Sequence, residues 1–303
     1  MIEATELTKR YGGRTAVDRL TFTVHPGRVT GFLGPNGAGK STTLRMILGL
    51  DAPTAGTVTV AGTPFADRPR GLRHVGALLD AQDVHGGRTA RAHLAALARG
   101  NRIPLARVDR VLAEVGLATV ARRRIGGYSL GMKQRLGIAG ALLGDPPVLV
   151  FDEPLNGLDP EGVRWLRGLL RRLAGEGRTV FFSSHMMGEL AHTADQVVVI
   201  GQGRLIADQP LTEFAARDGA AAGVTVRAAD PAALAAVLRA AGAELRPDGE
   251  GAVLVTGLTA DRIGELAHRH GLVLHQLADR GPSLEAAFME LTADRHHRAG
   301  AVR

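Results

Sequence analysis

The stretch that decides the fold is Gly34-Pro35-Asn36-Gly37-Ala38-Gly39-Lys40-Ser41-Thr42. It matches the pattern G-x-x-x-x-G-K-[ST] of a phosphate-binding loop, the P-loop. Its glycines let successive backbone N–H groups converge on phosphate oxygens, and the helix expected after it presents a positive N-terminal end to the same anion. The Lys40 ammonium can reach the β- and γ-phosphates, and the Ser41 hydroxyl can bind Mg²⁺. Lysine occurs in this chain only at positions 9, 40 and 133, so a chance match to the pattern is rare.

The sequence around the loop predicts an α/β fold. The apolar run 29–33 precedes the loop as a strand, and a helix is expected from about residue 40 to residue 48. Further along, expected strands and helices alternate: strand 148–151, helix 161–174, strand 179–183, helix 187–193 and strand 196–200. Alternation of this kind indicates a parallel sheet with crossover helices. Residues 88–145 show helical spacing instead, so we expect a P-loop NTPase core with a helical subdomain at about 88–145.

Two carboxylates follow the buried strand in Val148-Leu149-Val150-Phe151-Asp152-Glu153-Pro154. This places acidic groups at the carboxyl edge of a sheet, where ligands bind in open α/β folds. We expect Asp152 to hold Mg²⁺, through water, and Glu153 to polarise the water that attacks the γ-phosphate. Alone, Asp-Glu-Pro could simply begin a helix, but the P-loop upstream favours the catalytic interpretation.

Between these motifs lies Gly126-Gly127-Tyr128-Ser129-Leu130-Gly131-Met132-Lys133-Gln134-Arg135. It resembles the signature motif of the ATP-binding cassette (ABC) family, usually written L-S-G-G-Q, at the head of a helix. Ser129 and Gly131 match that motif, whereas its Leu, its first Gly and its Gln are replaced. In the family the motif binds the γ-phosphate of ATP held by the opposite subunit. Ser129 is equally suited to be the N-cap of a helix over 130–143, and the two roles are compatible.

Three further segments resemble the family's motifs. Leu155–Pro160 is similar to the D-loop, which crosses the dimer interface, and Ser183-Ser184-His185 is similar to the switch segment. A lone histidine is more often structural, but His185 directly follows an apolar strand, and the resemblance implies that it contacts the γ-phosphate. Near the N-terminus, the segment 9–12 resembles the A-loop, which implies that Tyr11 stacks on adenine, unless it is a plain turn aromatic.

The family's Q-loop is the segment that departs most from the pattern. Its Gln is expected nine residues before a Thr such as Thr89, and Asp80 stands there, as an acidic residue does in some exporter cassettes. A carboxylate at this place can still reach Mg²⁺ or its water, although it adds negative charge beside ATP. Gln82, two residues later, is the alternative. The segment 78–83 could also merely join a strand to a helix.

Composition changes near residues 218–223, which predicts a domain boundary. We expect a nucleotide-binding domain over 1–218 and an accessory domain over 219–303. The order strand 224–227, helix 231–241, two strands, helix 259–270, strand 272–276 and helix 283–292 suggests a small ferredoxin-like α+β domain. It resembles the extra domain of some drug- or peptide-exporter cassettes, which end in a segment similar to Ser283–Phe288. Residues 295–303 are expected to form a frayed tail.

Composition limits the location and the partners. The chain has 303 residues, no cysteine, no apolar run long enough to span a membrane and an acidic start without an apolar segment, so the sequence predicts neither a membrane helix nor a secretory signal. The net charge of +7 comes from arginines spread along the chain, which favours a solvated surface, and we expect no nucleic-acid partner.

The resemblance implies an ATPase that dimerises head to tail, most simply as a homodimer, with ATP and Mg²⁺ between the subunits. It implies a separate transmembrane permease subunit, export, and a peripheral place on the cytoplasmic side of the membrane. Two alternatives stay open here. One is a soluble ABC ATPase acting on nucleic acid or ribosomes, although neither tandem cassettes nor a long coiled-coil insertion is visible. The other is a nucleotide-dependent regulatory module without transport, which Glu153 and His185 disfavour and which Asp80 leaves open.

Overall fold

The computed structural model describes residues 1–215, 223–249 and 251–280. The chain divides into two units, Met1–Leu211 and Thr212–Arg303, so the division falls a few residues before the boundary expected after residue 218. The elements of the first unit run in the order β1 (Ile2–Tyr11), β2 (Arg14–Val24), β3 (Val29–Leu33), α1 (Lys40–Ile47), β4 (Ala55–Val60), β5 (Val75–Leu78), α2 (Ala90–Gly100), α3 (Ala106–Glu114), α4 (Leu130–Leu142), β6 (Val148–Phe151), α5 (Pro160–Gly175), β7 (Thr179–Ser184), α6 (Met187–Ala191), β8 (Gln196–Gly201) and β9 (Arg204–Pro210).

A six-stranded sheet in the order β5-β6-β7-β3-β8-β9 organises this unit. The strands from β5 to β8 are parallel, and β9 returns antiparallel to β8. All residues of β3, β6 and β7 are buried, as expected for strands covered on both faces. Because these neighbouring strands are parallel, the loops that follow them all leave from one edge of the sheet. The prediction of an α/β core with a parallel sheet is therefore confirmed.

A second, antiparallel sheet in the order β2-β1-β4 packs its apolar face into the same core. Three aromatic rings mark the contact between the layers. The ring centroids of Phe22 and Phe32 are 5.8 Å apart, those of Phe22 and Phe181 are 5.8 Å apart, and those of Phe32 and Phe181 are 5.1 Å apart. All three side chains are buried, so this cluster links β2 to the two central strands that carry the loops of the site.

The expected helical segment forms α2, α3 and α4, with contacts among all three helices. Two of them begin at polar caps that the sequence indicates. The Thr89 hydroxyl accepts a hydrogen bond from the N–H of Ala92 at the start of α2, and the Ser129 hydroxyl accepts one from the N–H of Met132 at the start of α4. The caps fix where each helix begins.

Helix α7 (Leu211–Ala215) crosses the division between the units. The second unit then contains β10 (Gly223–Ala228), α8 (Pro231–Ala240), β11 (Glu244–Pro247), β12 (Val253–Thr256), α9 (Ala260–Arg269) and β13 (Leu274–Arg280). Its four described strands form an antiparallel sheet in the order β11-β12-β10-β13. This is the ferredoxin-like arrangement of two interleaved βαβ units that the sequence suggested. The expected helix 283–292, the segment Ser283–Phe288 and the tail 295–303 lie outside the described residues.

Two expectations about the first unit were incomplete. Residues 20–24 alternate in the sequence as a strand should, and the structure extends this strand over the whole of β2, because β1 pairs with it back to Tyr11 and Arg14 across a Gly12-Gly13 turn. Strand β9 of this unit was not expected, and neither was α7 at the division between the units. Strand β9 lies at the edge of the sheet and is only partly buried. Its sequence is half polar, so the apolar pattern that would have predicted a strand is weak. In the part of the chain that the structure describes, no helix combines the length and apolar character needed to cross a membrane.

Phe32→Ala tests the aromatic cluster. Removing this fully buried ring should lower the free energy of unfolding of the first unit by about 3–5 kcal/mol, because a cavity remains between the two sheets. The measurement is urea unfolding followed by the fluorescence of Trp165, the single tryptophan, which lies in this unit. Leu50→Ala is the matched control, since that side chain is 55% exposed and its loss should cost no more than about 0.5 kcal/mol. Equal effects of the two variants would contradict the assigned core.

Candidate functional site

A cavity of about 520 Å³ opens at the carboxyl edge of the parallel sheet. Its wall combines the P-loop with the end of β1 and the acidic pair after β6. The lining residues are Tyr11, Arg14, Ala16, Pro35, Asn36, Gly37, Gly39, Lys40, Ser41, Thr42, Leu79, Asp152 and Glu153. The structure thus brings together three segments that the sequence analysis proposed separately.

Backbone geometry shapes the P-loop. Gly39, directly before α1, has a φ of 104°, and a Cβ there would lie 2.6 Å from the Ala16 carbonyl oxygen. Only glycine fits this position without strain. The Lys40 side chain is buried, and its Nζ donates to the carbonyl oxygens of Gly34 at 2.5 Å and Pro35 at 3.4 Å. The loop therefore encloses a positive charge beside the cavity and beside the positive end of α1.

The acidic pair after β6 is tied to the neighbouring strand β7. The hydroxyl of Ser183, a fully buried residue, donates to Asp152 Oδ1 at 2.5 Å and accepts from the Glu153 N–H at 2.9 Å. Glu153 has a φ of 47°, a backbone conformation that costs an ordinary residue of order 1–3 kcal/mol. The Gln134 side chain of α4 donates to the Pro154 carbonyl at 2.9 Å. These contacts hold the turn that aims Glu153 into the cavity.

The Glu153 carboxylate lies between two partners. Its Oε1 is 3.6 Å from Lys40 Nζ, and its Oε2 is 2.9 Å from His185 Nδ1. The carboxylate is 21% exposed and the imidazole 37% exposed, so water can reach both. The group is placed to accept a proton from a water molecule at the end of a phosphate chain held by the P-loop.

The turn that carries His185 is braced by the residues beside it. The Ser184 hydroxyl accepts from the Met186 N–H at 2.9 Å and lies 2.8 Å from Glu189 Oε2, to which it donates. Burial raises the pKa of the Glu189 carboxyl above its ordinary value, although the Ser184 hydrogen bond acts in the opposite direction. His185 is therefore held by a short, partly buried polar network rather than by a free loop.

The signature segment lies at the start of α4. Ser129 is exposed, and its hydroxyl caps the helix. Leu130, which replaces a glycine of the family's motif, is 46% exposed and lies against Gly157, where an added Cβ would come within 2.4 Å of Leu130 Cδ2. Although both are described, Ser129 and Gly131 are not among the residues that line the cavity. The chain's own cavity therefore lacks the groups that the sequence analysis assigned to the signature.

Asp80 is exposed and turns toward its own loop. Its Oδ1 accepts a hydrogen bond from the Gln82 N–H at 2.7 Å, which is the geometry of an Asx turn. Leu79 lines the cavity, but neither Asp80 nor Gln82 is among the described lining residues. The assignment of Asp80 to a metal site stays a prediction.

Sequence reasoning missed several residues around the site. Ser183 was quoted only as part of the switch segment, and its contacts with Asp152 and Glu153 follow from parallel pairing of β6 with β7. Arg14 lines the cavity because it pairs with Tyr11 across the Gly12-Gly13 turn. Two glycines between alternating segments are a hairpin signal that could have found it. Asp51, which bonds to Tyr11, carries no local signal at all.

Known proteins resemble the chain over the parts that build this site. Residues 17–156 match the family model described as ABC transporter, and residues 222–285 match a domain of unknown function (DUF8746). The bacitracin transport ATP-binding protein BcrA of Bacillus licheniformis is 42% identical over 221 residues, which cover 72% of each protein.

The chain belongs to the ABC transporter family. A Nod factor export ATP-binding protein I of Burkholderia orbicola is 36% identical over 297 residues, 96% of each chain, so this resemblance extends through the second unit. A solved structure of an ATP-binding subunit of an ABC transporter superposes with a TM-score of 0.66 and 28% identity, covering 71% of this chain and 91% of that one. The resemblance to the ABC family is thereby confirmed, and these two relatives are named as transport and export ATP-binding proteins.

Ser183→Ala tests the tie between β7 and the acidic pair of this ABC protein. Removing the hydroxyl leaves the Asp152 carboxylate and the Glu153 N–H without this partner, so ATPase turnover should fall by roughly 10- to 100-fold with a smaller change in KM. Steady-state ATPase kinetics measure both constants. Thr30→Val removes a buried hydroxyl from β3 at the far end of the strand from the P-loop, and we expect it to retain near-normal turnover. Normal turnover in the Ser183 variant would show that the acidic pair needs no such tie.

Proposed function

We propose that the chain is the ATP-binding and ATP-hydrolysing subunit of an exporter, which dimerises around ATP and powers a separate membrane-spanning subunit. The observation that carries this proposal is the Glu153 carboxylate between Lys40 and His185 at the P-loop cavity. The relatives support export, because they are named as bacitracin transport, lantibiotic transport and Nod factor export ATP-binding proteins. None of these names favours action on nucleic acid or ribosomes.

Hydrolysis needs a bound phosphate chain, an activated water and stabilisation of developing charge. The P-loop N–H groups and Lys40 bind the phosphate chain and stabilise the charge that develops on it. Glu153 acts as the general base that takes a proton from the attacking water, and His185 orients this water and the γ-phosphate. Tyr11, which also lines the cavity, stacks on the adenine ring.

The residues around the cavity fit a magnesium ion. The Ser41 hydroxyl and the Asp152 carboxylate both line it, and hard oxygen donors of this kind are what Mg²⁺ prefers. The ion supplies neutralisation of the phosphate charge when it is bound. Ser183 keeps one Asp152 oxygen hydrogen-bonded, so the carboxylate stays directed toward the cavity.

A single chain provides one half of each site. Ser129 and Gly131 lie at the start of α4, outside their own cavity, and a helix N-terminus with an exposed serine at its cap suits the γ-phosphate of ATP on a second copy. We therefore propose a head-to-tail homodimer with two ATP molecules between the subunits. Closing and opening of this dimer drives the permease subunit from the cytoplasmic face of the membrane.

Glu153→Gln tests the general base. The amide keeps the shape of the side chain but cannot accept the proton, so ATP should still bind while hydrolysis falls by roughly 100-fold or more. Gel filtration with Mg·ATP should then show a persistent dimer, with the permease subunit present if assembly requires it. Glu244→Gln, at an exposed site in β11, is the matched control and should behave as wild type. Normal hydrolysis by the Glu153 variant would refute its role.

Asp80→Gln and Asp80→Ala test the Q-loop assignment. If Asp80 faces the nucleotide, Gln removes a negative charge near ATP and should preserve or tighten binding. Ala should impair turnover, most strongly its stimulation by the permease subunit, because it also removes the acceptor for the Gln82 N–H. The measurement is ATPase activity of the three proteins with and without the permease subunit. Three indistinguishable profiles would assign the segment to a plain linker and make Gln82 the next candidate.

A further inference from the structure

Tyr11 is fixed by a hydrogen bond that the general fold does not require. The residue is the last of β1, it lines the cavity, and it is 48% exposed. Its hydroxyl donates to Asp51 Oδ2 at 2.9 Å. An aromatic side chain at a strand end on an open surface is ordinarily free to rotate about χ1 and χ2. Here the phenol end is attached to a second segment of the chain, forty residues away in sequence.

Asp51 is in turn held by the helix that begins at the P-loop. Arg45, in the last turn of α1, donates from Nε to Asp51 Oδ2 at 2.9 Å and from a terminal nitrogen to Oδ1 at 3.5 Å. The hydrogen bonds from Arg45 and then from Tyr11 lower the pKa of Asp51 below its ordinary value, so the carboxylate remains an acceptor at neutral pH. The hydrogen bond between Tyr11 and Asp51 raises the pKa of the Tyr11 phenol above its ordinary value, so the phenol remains a donor.

A cation lies against the aromatic ring itself. The Nζ of Lys9 is 5.0 Å from the ring centroid of Tyr11, within the range of a cation–π contact. The same ammonium donates to the Ala52 carbonyl oxygen at 2.6 Å. Lys9 is thus bonded to the loop after α1, next to Asp51, and restrains the ring from one face. The hydroxyl contacts Asp51 directly, whereas the ring contacts Lys9, which is itself hydrogen-bonded to Ala52.

We propose that Asp51, together with Lys9, is a positioning residue that holds the Tyr11 ring ready for the adenine base. The inference rests on the proposed role of Tyr11 in the function above. Its physical content is pre-organisation: the ring loses its rotational freedom before the nucleotide arrives, so less entropy is lost on binding. Because Lys40 and Arg45 belong to the same helix α1, the base contact and the phosphate contact are set relative to one rigid element.

The proposal predicts a pattern in which only the base end of the nucleotide is affected. Asp51→Ala and Tyr11→Phe each break the same hydrogen bond, so each should raise the KM for ATP roughly three- to tenfold with little change in kcat. The double variant Asp51→Ala, Tyr11→Phe should be no worse than the more affected single variant, because one interaction is lost in all three. Inhibition by inorganic tripolyphosphate, which has no base, should have the same Ki in every variant.

The experiment measures KM, kcat and the tripolyphosphate Ki for wild type, these three variants, Tyr11→Ala and Asp109→Ala. The last is the matched control, since it breaks an exposed Asp–Arg pair in the helical subdomain, between Asp109 and Arg91, and should leave all constants unchanged. If Tyr11→Ala raises KM but Asp51→Ala and Tyr11→Phe do not, stacking stands and the positioning role is overturned. If Asp51→Ala raises KM and the tripolyphosphate Ki equally, its effect is general disruption, which also overturns the role.

A further possible outcome is that Tyr11→Ala has the same KM for ATP as the wild-type protein. It would remove the stacking role from Tyr11, and the positioning role of Asp51 would fall with it, while ATP hydrolysis by the wild-type protein would leave the wider function intact. Absence of ATP hydrolysis by the wild-type protein, even with its permease subunit, would instead overturn the proposed function.

Discussion

Parallel pairing of β6, β7 and β3 is the constraint on which the functional site depends. The pairing sets Phe151 beside Phe182 and Leu33 beside Ser184, so the residues that follow these three strands meet at one edge of the sheet. The P-loop leaves β3, the acidic pair leaves β6, and the segment with His185 leaves β7. A shift of one residue in any of these registers would move every side chain of the strand to the opposite, differently packed face of the sheet and would separate the three groups. The strand registers that pack the core therefore also bring the groups of the site together.

Backbone strain in this site is found at Glu153. Its φ of 47° disfavours the turn, whereas the hydrogen bonds from its own N–H to Ser183 and from Gln134 to Pro154 offset that cost. The carboxylate that results is paired with Lys40 on one side and His185 on the other. Charge pairing makes a carboxylate tolerable at a partly buried position, and it also orders the groups to which we assign proton transfer.

The sequence alone predicts those parts of the site that depend on local pattern. The P-loop is determined by glycines, one lysine and the strand–helix context, and the acidic pair by four apolar residues before Asp152. Contacts between distant segments leave no such pattern. Asp51 contacts Tyr11 only because the segment after α1 lies beside the end of β1 in the folded chain. Ser183 contacts Asp152 only because β7 pairs with β6. Strand β9 was missed because, at the edge of the sheet, only part of it is buried, so its apolar alternation is weak.

The arrangement also predicts that no chain completes its own site. The cavity holds Lys40 and Glu153, while Ser129 stands exposed at the start of α4, outside that chain's cavity. The direct test mixes two inactive proteins, Lys40→Ala and Ser129→Ala, under conditions that let subunits exchange, with the permease subunit present. In a mixed dimer, one of the two sites combines the intact P-loop of the Ser129→Ala chain with the intact signature segment of the Lys40→Ala chain. We predict ATPase activity well above the sum of the separate activities. A mixture no more active than its components would contradict a site shared between two chains.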